Sequence, residues 1–301
     1  MKRIWIILAV LALLLATTLS DRGAQAKGIS KTSGTYAVAQ AATIATYAFG
    51  INSRGDIVGT YVTRTGNHGF LLHHGTYTKF DDPAAANYTE AKGINTAGDI
   101  VGDYADSKNF FHGFLLHHGT YTTLNAPGAV NGTFPYGITN EGDITGFYTD
   151  GRNHTHGFLL HDGTYTKFDD PKSAVGTFPF GINNAGDIVG ATQFNGDLHG
   201  FLLHDGTYTT LDAPGADTTY ANGINTLGDI VGGDTDASGH THGYLLHDGT
   251  YTRFDAPGAA GGTHPHNINT AGDIVGTYID GQNHFHGFLL HDGTYTTINV
   301  P

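Results

Sequence analysis

The chain has 301 residues, 14 basic against 27 acidic, and a net charge of −13 with histidine neutral. An acidic surface without a Lys/Arg cluster repels phosphate backbones and anionic lipids, which argues against nucleic-acid or membrane-surface binding. Cysteine is absent, so disulfides, thiolate metal sites and cysteine catalysis are excluded.

At the N-terminus, Lys2 and Arg3 precede an apolar run from Ile4 to Ala16 and a polar stretch ending in Ala24-Gln25-Ala26. This pattern predicts a signal peptide over residues 1–26, cleaved after Ala26, and hence a secreted protein, extracellular or periplasmic. The run is shorter than the roughly 20 residues a spanning helix needs, so no membrane insertion of the mature chain is expected. Cleavage removes three basic residues and one acidic one, leaving 11 against 26 and a net charge of −15. Residues 27–49 follow as an N-terminal closure segment, because Gly34-Thr35-Tyr36 looks like an extra copy of a strand found later in each repeat.

From residue 50 to 301 one unit recurs six times. Its first motif, Gly-Ile-Asn-x-x-Gly-Asp-Ile-Val-Gly or a close variant, starts at Gly50, Gly93, Gly137, Gly181, Gly223 and Asn267, at spacings of 43, 44, 44, 42 and 44 residues. A second motif, His-Gly-Phe-Leu-Leu-His, starts at His68, His112, His156, His199, His242 and His286, with Tyr244 replacing phenylalanine once. Gly-Thr-Tyr-Thr follows each time. Short β-branched and aromatic runs bounded by Gly, Asn and Asp read as strands. In the fourth unit they end at Ile182-Asn183, or cover Asp187 to Gly190, His199 to His204 and Thr207 to Asp212. Asn-x-x-Gly predicts a type I turn with a left-handed glycine, and Asp205-Gly206 a two-residue hairpin.

Four antiparallel strands in about 44 residues match a propeller blade, and six blades are a common closure. The predicted fold is an all-β six-bladed β-propeller. An open β-solenoid is the alternative, but its coils are shorter and laddered in parallel. The phasing puts Gly-Ile-Asn innermost and the Tyr/Thr strand at the wet edge. Loops of the Asp-Ala-Pro-Gly-Ala type then share one face with the loops preceding His-Gly-Phe, and the tight turns occupy the other. The last repeat already owns Thr294 to Val300, so either that strand or the Gly34 copy is redundant for closure.

These units resemble the bacterial extracellular HAF-repeat family, named for a His-x-Phe segment that His156-Gly157-Phe158 matches, with Asn-x-x-Gly and Asp-x-Pro-Gly-Ala elements in the same order. The resemblance covers Gly34 to Pro301, with Gly standing where the family has Ala. It implies export and a repeat fold, and carries over no catalytic residue.

Residues repeated in every unit read as scaffold. The Asp of Gly-Asp-Ile is expected to accept turn N–H groups, and both repeated histidines to hydrogen-bond between strands. Symmetry breaking is more informative. Two residues before the invariant histidine, three units carry a second one, giving His154/His156, His240/His242 and His284/His286. Such a pair could chelate Zn²⁺ or Cu²⁺. A third ligand is not assigned at a fixed offset; Asp234 and Asp236 near His240 and Asp280 near His284 are the candidates, and a solvated polar loop is the preferred reading. His264 and His266 stand in the last unit where Phe178 and Phe180 stand in the fourth, near the expected channel mouth. Asn87, Asn131 and Asn153 open Asn-x-Thr sequons, which matter only in a glycosylating host.

No nucleophile motif, cofactor or metal is expected. The function read from the sequence is a non-enzymatic binding or scaffold protein, monomeric, presenting a loop-rich face to a protein or glycan. Its low-symmetry histidines and Asp280 are the candidate ligand contacts. The alternatives are a secreted hydrolase or lyase with a site at the channel mouth, and a metal-binding or structural envelope protein.

Overall fold

A computed structural model describes residues 42–301; the predicted signal peptide and the Gly34-Thr35-Tyr36 strand copy lie outside the described residues. Blade 1 is built from β1 (Ala45–Ile51), β2 (Ile57–Thr63), β3 (Gly66–His73) and β4 (Thr76–Phe80). Blade 2 holds β5 (Thr89–Ile94), β6 (Ile100–Ala105), β7 (Phe111–His117) and β8 (Thr120–Leu124), and blade 3 holds β9 (Thr133–Ile138), β10 (Ile144–Thr149), β11 (Thr155–His161) and β12 (Thr164–Phe168). Blade 4 comprises β13 (Thr177–Ile182), β14 (Ile188–Phe194), β15 (Asp197–His204) and β16 (Thr207–Leu211). β17 (Thr218–Ile224), β18 (Ile230–Thr235), β19 (Thr241–His247) and β20 (Thr250–Phe254) form blade 5. β21 (Gly262–Ile268), β22 (Ile274–Ile279), β23 (Phe285–His291) and β24 (Thr294–Ile298) form blade 6.

Each blade is a four-stranded antiparallel sheet in simple sequence order. The first strands of neighbouring blades touch all the way round, β21 meeting β1, so they surround the axis. The molecule is a six-bladed β-propeller, as the repeat predicts. β1 starts at Ala45, so residues 45–49 belong to the first blade rather than to a separate segment. The second strands run beyond Val-Gly; β14 reaches Phe194.

The local chemistry explains these elements. Asp205 and Gly206 both have positive φ, 46° and 73°, the geometry of the type I′ hairpin that matches strand twist. Gly55 has φ 80° and donates its N–H to Asn52 O at 3.1 Å, closing the other turn. Phe70 and its equivalents Phe114, Phe158, Phe201, Tyr244 and Phe288 are at most 1% exposed, so His-Gly-Phe supplies the centre of each blade. The Val of Ile-Val-Gly packs into the next blade: Val58 joins Ala91, Ile94 and Phe114, and Val275 joins Ala48, Ile51 and Phe70.

Closure uses the same contacts as every other junction. A buried threonine at the start of each inner strand accepts an N–H from the loop leaving the preceding blade, as in Asp82 to Thr89 (3.1 Å) and Ala126 to Thr133 (3.0 Å). Val300 to Thr46, at 3.2 Å, is the sixth member. Blade 6 is therefore completed by its own β24, and no strand is exchanged among the described residues.

Candidate functional site

Each inner strand carries a β-bulge near its end, as between Ala48 and Gly50, which singles out the bulged residue and the one two before it. Blade by blade these are Tyr47/Phe49, Glu90/Lys92, Phe134/Tyr136, Phe178/Phe180, Tyr220/Asn222 and His264/His266. Just beyond them the six strands converge. A Cβ on Gly93 would come within 2.5 Å of Tyr136 O, and one on Gly50 within 2.7 Å of Lys92 O, so this level of the axis admits almost no side chain.

Towards the loop-rich face the axis widens into a cavity of about 360 Å³, at the small end of ligand pockets, which run roughly 300–1,000 Å³. Aromatic rings of Tyr47, Phe49, Tyr136, Phe180, Tyr220 and Phe285 line it, together with Asn222, His264, His266 and Lys92. The wall reaches Gly239 and Thr241 of blade 5 and Gly261 of blade 6 at the loop level.

His264 and His266 come together within β21 itself, rather than just before the innermost strand. His264 Nδ1 pairs with Tyr220 Oη at 2.9 Å, while its Nε2 is buried with no hydrogen-bond partner among the described residues. His266 Nε2 meets Thr277 Oγ1 at 3.2 Å and its ring packs edge-on to Phe49, 4.8 Å between centroids. Burial pushes the imidazoles down, to about 4 for His264 and about 3 for His266, so both present neutral rings at physiological pH.

Lys92, Glu90 and Asp103 are the functional-site residues that the motif reading passed over. Lys92 is buried, ion-paired with Asp103 and 3.5 Å from Glu90 Oε2. Its Nζ sits 4.2 Å above the Tyr136 ring, a cation–π contact. Burial and, against Lys92, the Asp103 charge raise the Glu90 carboxyl to about 7. Glu90 also accepts from Asn67 Nδ2 at 3.3 Å. Aligning the six inner strands on Gly-Ile-Asn would have exposed this charged exception, since the other blades carry uncharged residues there.

The remaining candidates lie on the loop rim, apart from the axis. His156, His242 and His286 are on strands, but His154, His240 and His284 lie in the loops before them. The ring centroids are 6.5 Å apart for His154/His156, 4.7 Å for His240/His242 and 6.3 Å for His284/His286. The acidic partner that the sequence reading left unassigned sits six residues before the invariant histidine in four blades, as Asp106, Asp150, Asp236 and Asp280. Asp280 Oδ2 lies 3.2 Å from His284 Nδ1 and 3.1 Å from His286 Nε2.

The repeated histidines each make a recurring contact that ties the blade together. The first set gives Nδ1 to the residue 13 positions on, as in His199 to Asp212 at 2.8 Å. The second meets the Asp of Gly-Asp-Ile, as in His73 to Asp56 and His204 to Asp187, both 2.5 Å. That Asp does not accept the turn N–H groups as expected. Asn52 Oδ1 takes them, from Arg54 N at 2.9 Å and Asp56 N at 3.0 Å, while Asn52 Nδ2 donates to Asp56 at 2.9 Å. The asparagine is placed inside the turn, so the carboxylate is free to reach the histidine across the blade.

No family model and no curated protein matches the chain. Solved structures do. AofleA from Arthrobotrys oligospora aligns with a TM-score of 0.60 at 12% identity, covering 86% of this chain and 88% of its own. The Aleuria aurantia lectin in complex with Fucα1-6GlcNAc aligns at 0.52 and 9%, covering 84% and 94%. The β-propeller domain of the Trilobed protease from Pyrococcus furiosus, described as having an open velcro topology, aligns at 0.52 and 10%, covering 85% and 98%. At these identities the likeness is one of fold.

Proposed function

We propose that the chain is an exported, monomeric binding protein of the HAF-repeat kind that takes a glycan into its axial cavity from the loop-rich face, without turning it over. The observation that carries this reading is the composition of the cavity wall. Aromatic faces converge with a few polar groups, the Asn222 amide, the imidazoles of His264 and His266 and the Lys92 ammonium. Such a wall suits a pyranose, whose C–H faces stack on rings and whose hydroxyls need a small number of fixed partners. A sugar-binding propeller lectin among the fold neighbours is consistent with it. Export rests on the N-terminal charge and apolar pattern, and agrees with the absence of cysteine.

The hydrolase reading finds little to build on. The carboxylates nearest the axis, Glu90 and Asp103, are buried and directed to Lys92 and Asn67, and neither lines the cavity. Among the described residues no helix is long and apolar enough to cross a membrane.

The test is a saturation-transfer NMR screen of neutral mono- and disaccharides, followed by titration of the best binder. Asn222→Ala, which removes the amide from the cavity wall, is expected to weaken binding at least about tenfold, the value of one hydrogen bond to a desolvated partner. Unchanged affinity in that variant, or release of reducing sugar by the parent chain, would overturn the reading.

A further inference from the structure

Four blades carry a longer loop before the invariant histidine, beginning Asp106, Asp150, Asp236 and Asp280. In blade 6 the Oδ1 of Asp280 is taken up by the backbone N–H groups of Gln282 at 2.8 Å and His284 at 2.9 Å. That grip fixes the carboxylate, so its Oδ2 faces two imidazoles.

His286 places Nδ1 3.3 Å from Asn299 Oδ1 and Nε2 3.1 Å from Asp280 Oδ2. A hydrogen on Nε2 satisfies the carboxylate; with the hydrogen on Nδ1, Nε2 and Oδ2 turn lone pairs to the same point, and a cation takes the place of the proton. Zn²⁺ bound tetrahedrally with bonds of about 2.0–2.1 Å holds its ligand atoms about 3.3 Å apart. The observed separations, 3.1 and 3.2 Å, match that edge. All three ligand atoms lie within 4.8 Å of one another. Asn299 supplies the outer hydrogen bond that metal-bound histidines usually make.

We propose that Asp280, His284 and His286 bind a divalent transition-metal ion of the Zn²⁺ class on the loop rim of blade 6, with water completing the coordination. This site is separate from the axial cavity and does not depend on what the cavity binds. Blade 5 is only a looser relative: His240 and His242 gather with Asp255 instead, while Asp236 Oδ2 lies 3.5 Å from His242 Nε2. Blade 2 is a natural control: His112 and Asp106 stand 3.5 Å apart as in blade 5, but Phe110 replaces the second imidazole.

The experiment is a ¹⁵N-correlated NMR titration of the histidine side chains of the purified full chain with ZnCl₂ at about pH 7.5, where imidazole ligands are neutral. The Nδ1 of His284 and the Nε2 of His286 are expected to shift on adding metal. His284→Ala, a change at an exposed side chain, should weaken that site at least about tenfold in calorimetry. His161→Ala, on the opposite face, should leave it unchanged. Phe110→His should add a site in blade 2. If the His284 and His286 resonances do not move with Zn²⁺ in tenfold excess, or move equally in His284→Ala for the ring that remains, the assignment is wrong and a shared proton explains the geometry.

Discussion

The side-chain amide of Asn269 donates to the backbone carbonyl of Asn52, 217 positions earlier in the chain, at 3.3 Å. The same bond links Asn52 to Asn95 O (3.0 Å), Asn95 to Thr139 O, Asn183 to Asn225 O and Asn225 to Asn269 O (each 3.2 Å). One turn asparagine per blade thus caps its own turn and grips the next blade, and the ring is broken only where Thr139 stands for asparagine.

Asn269→Ala removes two donated bonds and leaves the N–H groups of Ala271 and Asp273 without their acceptor. Losing buried partners of this kind costs about 2–3 kcal/mol, a fall in Tm of roughly 4–10 °C for a chain of this size. Thr139→Asn restores the missing link and is expected to add about 1 kcal/mol. Calorimetric melting of both variants checks the ring, and a neutral Asn269→Ala would contradict it.

The buried charges of blade 2 make a second prediction. Lys92→Met leaves Asp103 and Glu90 without their cation, which costs about 3–5 kcal/mol when a buried pair is broken. Replacing the whole set by the blade 4 residues, as Glu90→Phe, Lys92→Phe and Asp103→Ala, removes the charges together and is expected to stay within about 2 kcal/mol of the parent. Denaturant unfolding separates the outcomes; a triple variant as unstable as Lys92→Met would show that the trio itself holds the fold.

Stability should depend on pH from both sides. Hydrogen bonds donated to Asp143, Asp187, Asp229 and Asp273 raise His161, His204, His247 and His291 above their ordinary value of 6.5. Their contribution is complete below about 6.5 and is lost as pH rises through the folded values. His264 and His266 act in the opposite sense: burial favours their neutral form, so their contribution is complete above about 6.5 and is lost as pH falls towards about 4. The expected Tm curve peaks near neutrality. In His264→Phe/His266→Phe the decline between pH 6.5 and 4 should flatten, and an unchanged acid limb would refute the assignment.

The repeat made the fold legible because its signals are local. Asp205-Gly206 dictates a hairpin from two residues, and Phe201 with its equivalents marks the blade centre at a constant distance from it. The site is less legible because it is assembled across blades. His264 and His266 could be picked out as departures from Phe178 and Phe180, but Lys92 and Glu90 sit between recurring motifs and acquire meaning only when Asp103 and Tyr136 fold beside them. Asp280 was visible, yet its place between His284 and His286 depends on a loop held by its own backbone N–H groups. The closing strand could not be chosen from sequence, since Gly34-Thr35-Tyr36 and Thr294 to Val300 look alike; the Val300–Thr46 bond decides it for the described residues.

The central claim, a glycan held in the axial cavity, is tested most directly by a crystal structure of the chain soaked with the saccharide that binds best in solution. The account predicts a pyranose ring within the cavity, against the rings of Phe49, Tyr136 or Phe180 and within hydrogen-bond distance of the Asn222 amide. Saccharide density confined to the outer rim of the blades, with the axis filled by water alone, would contradict it.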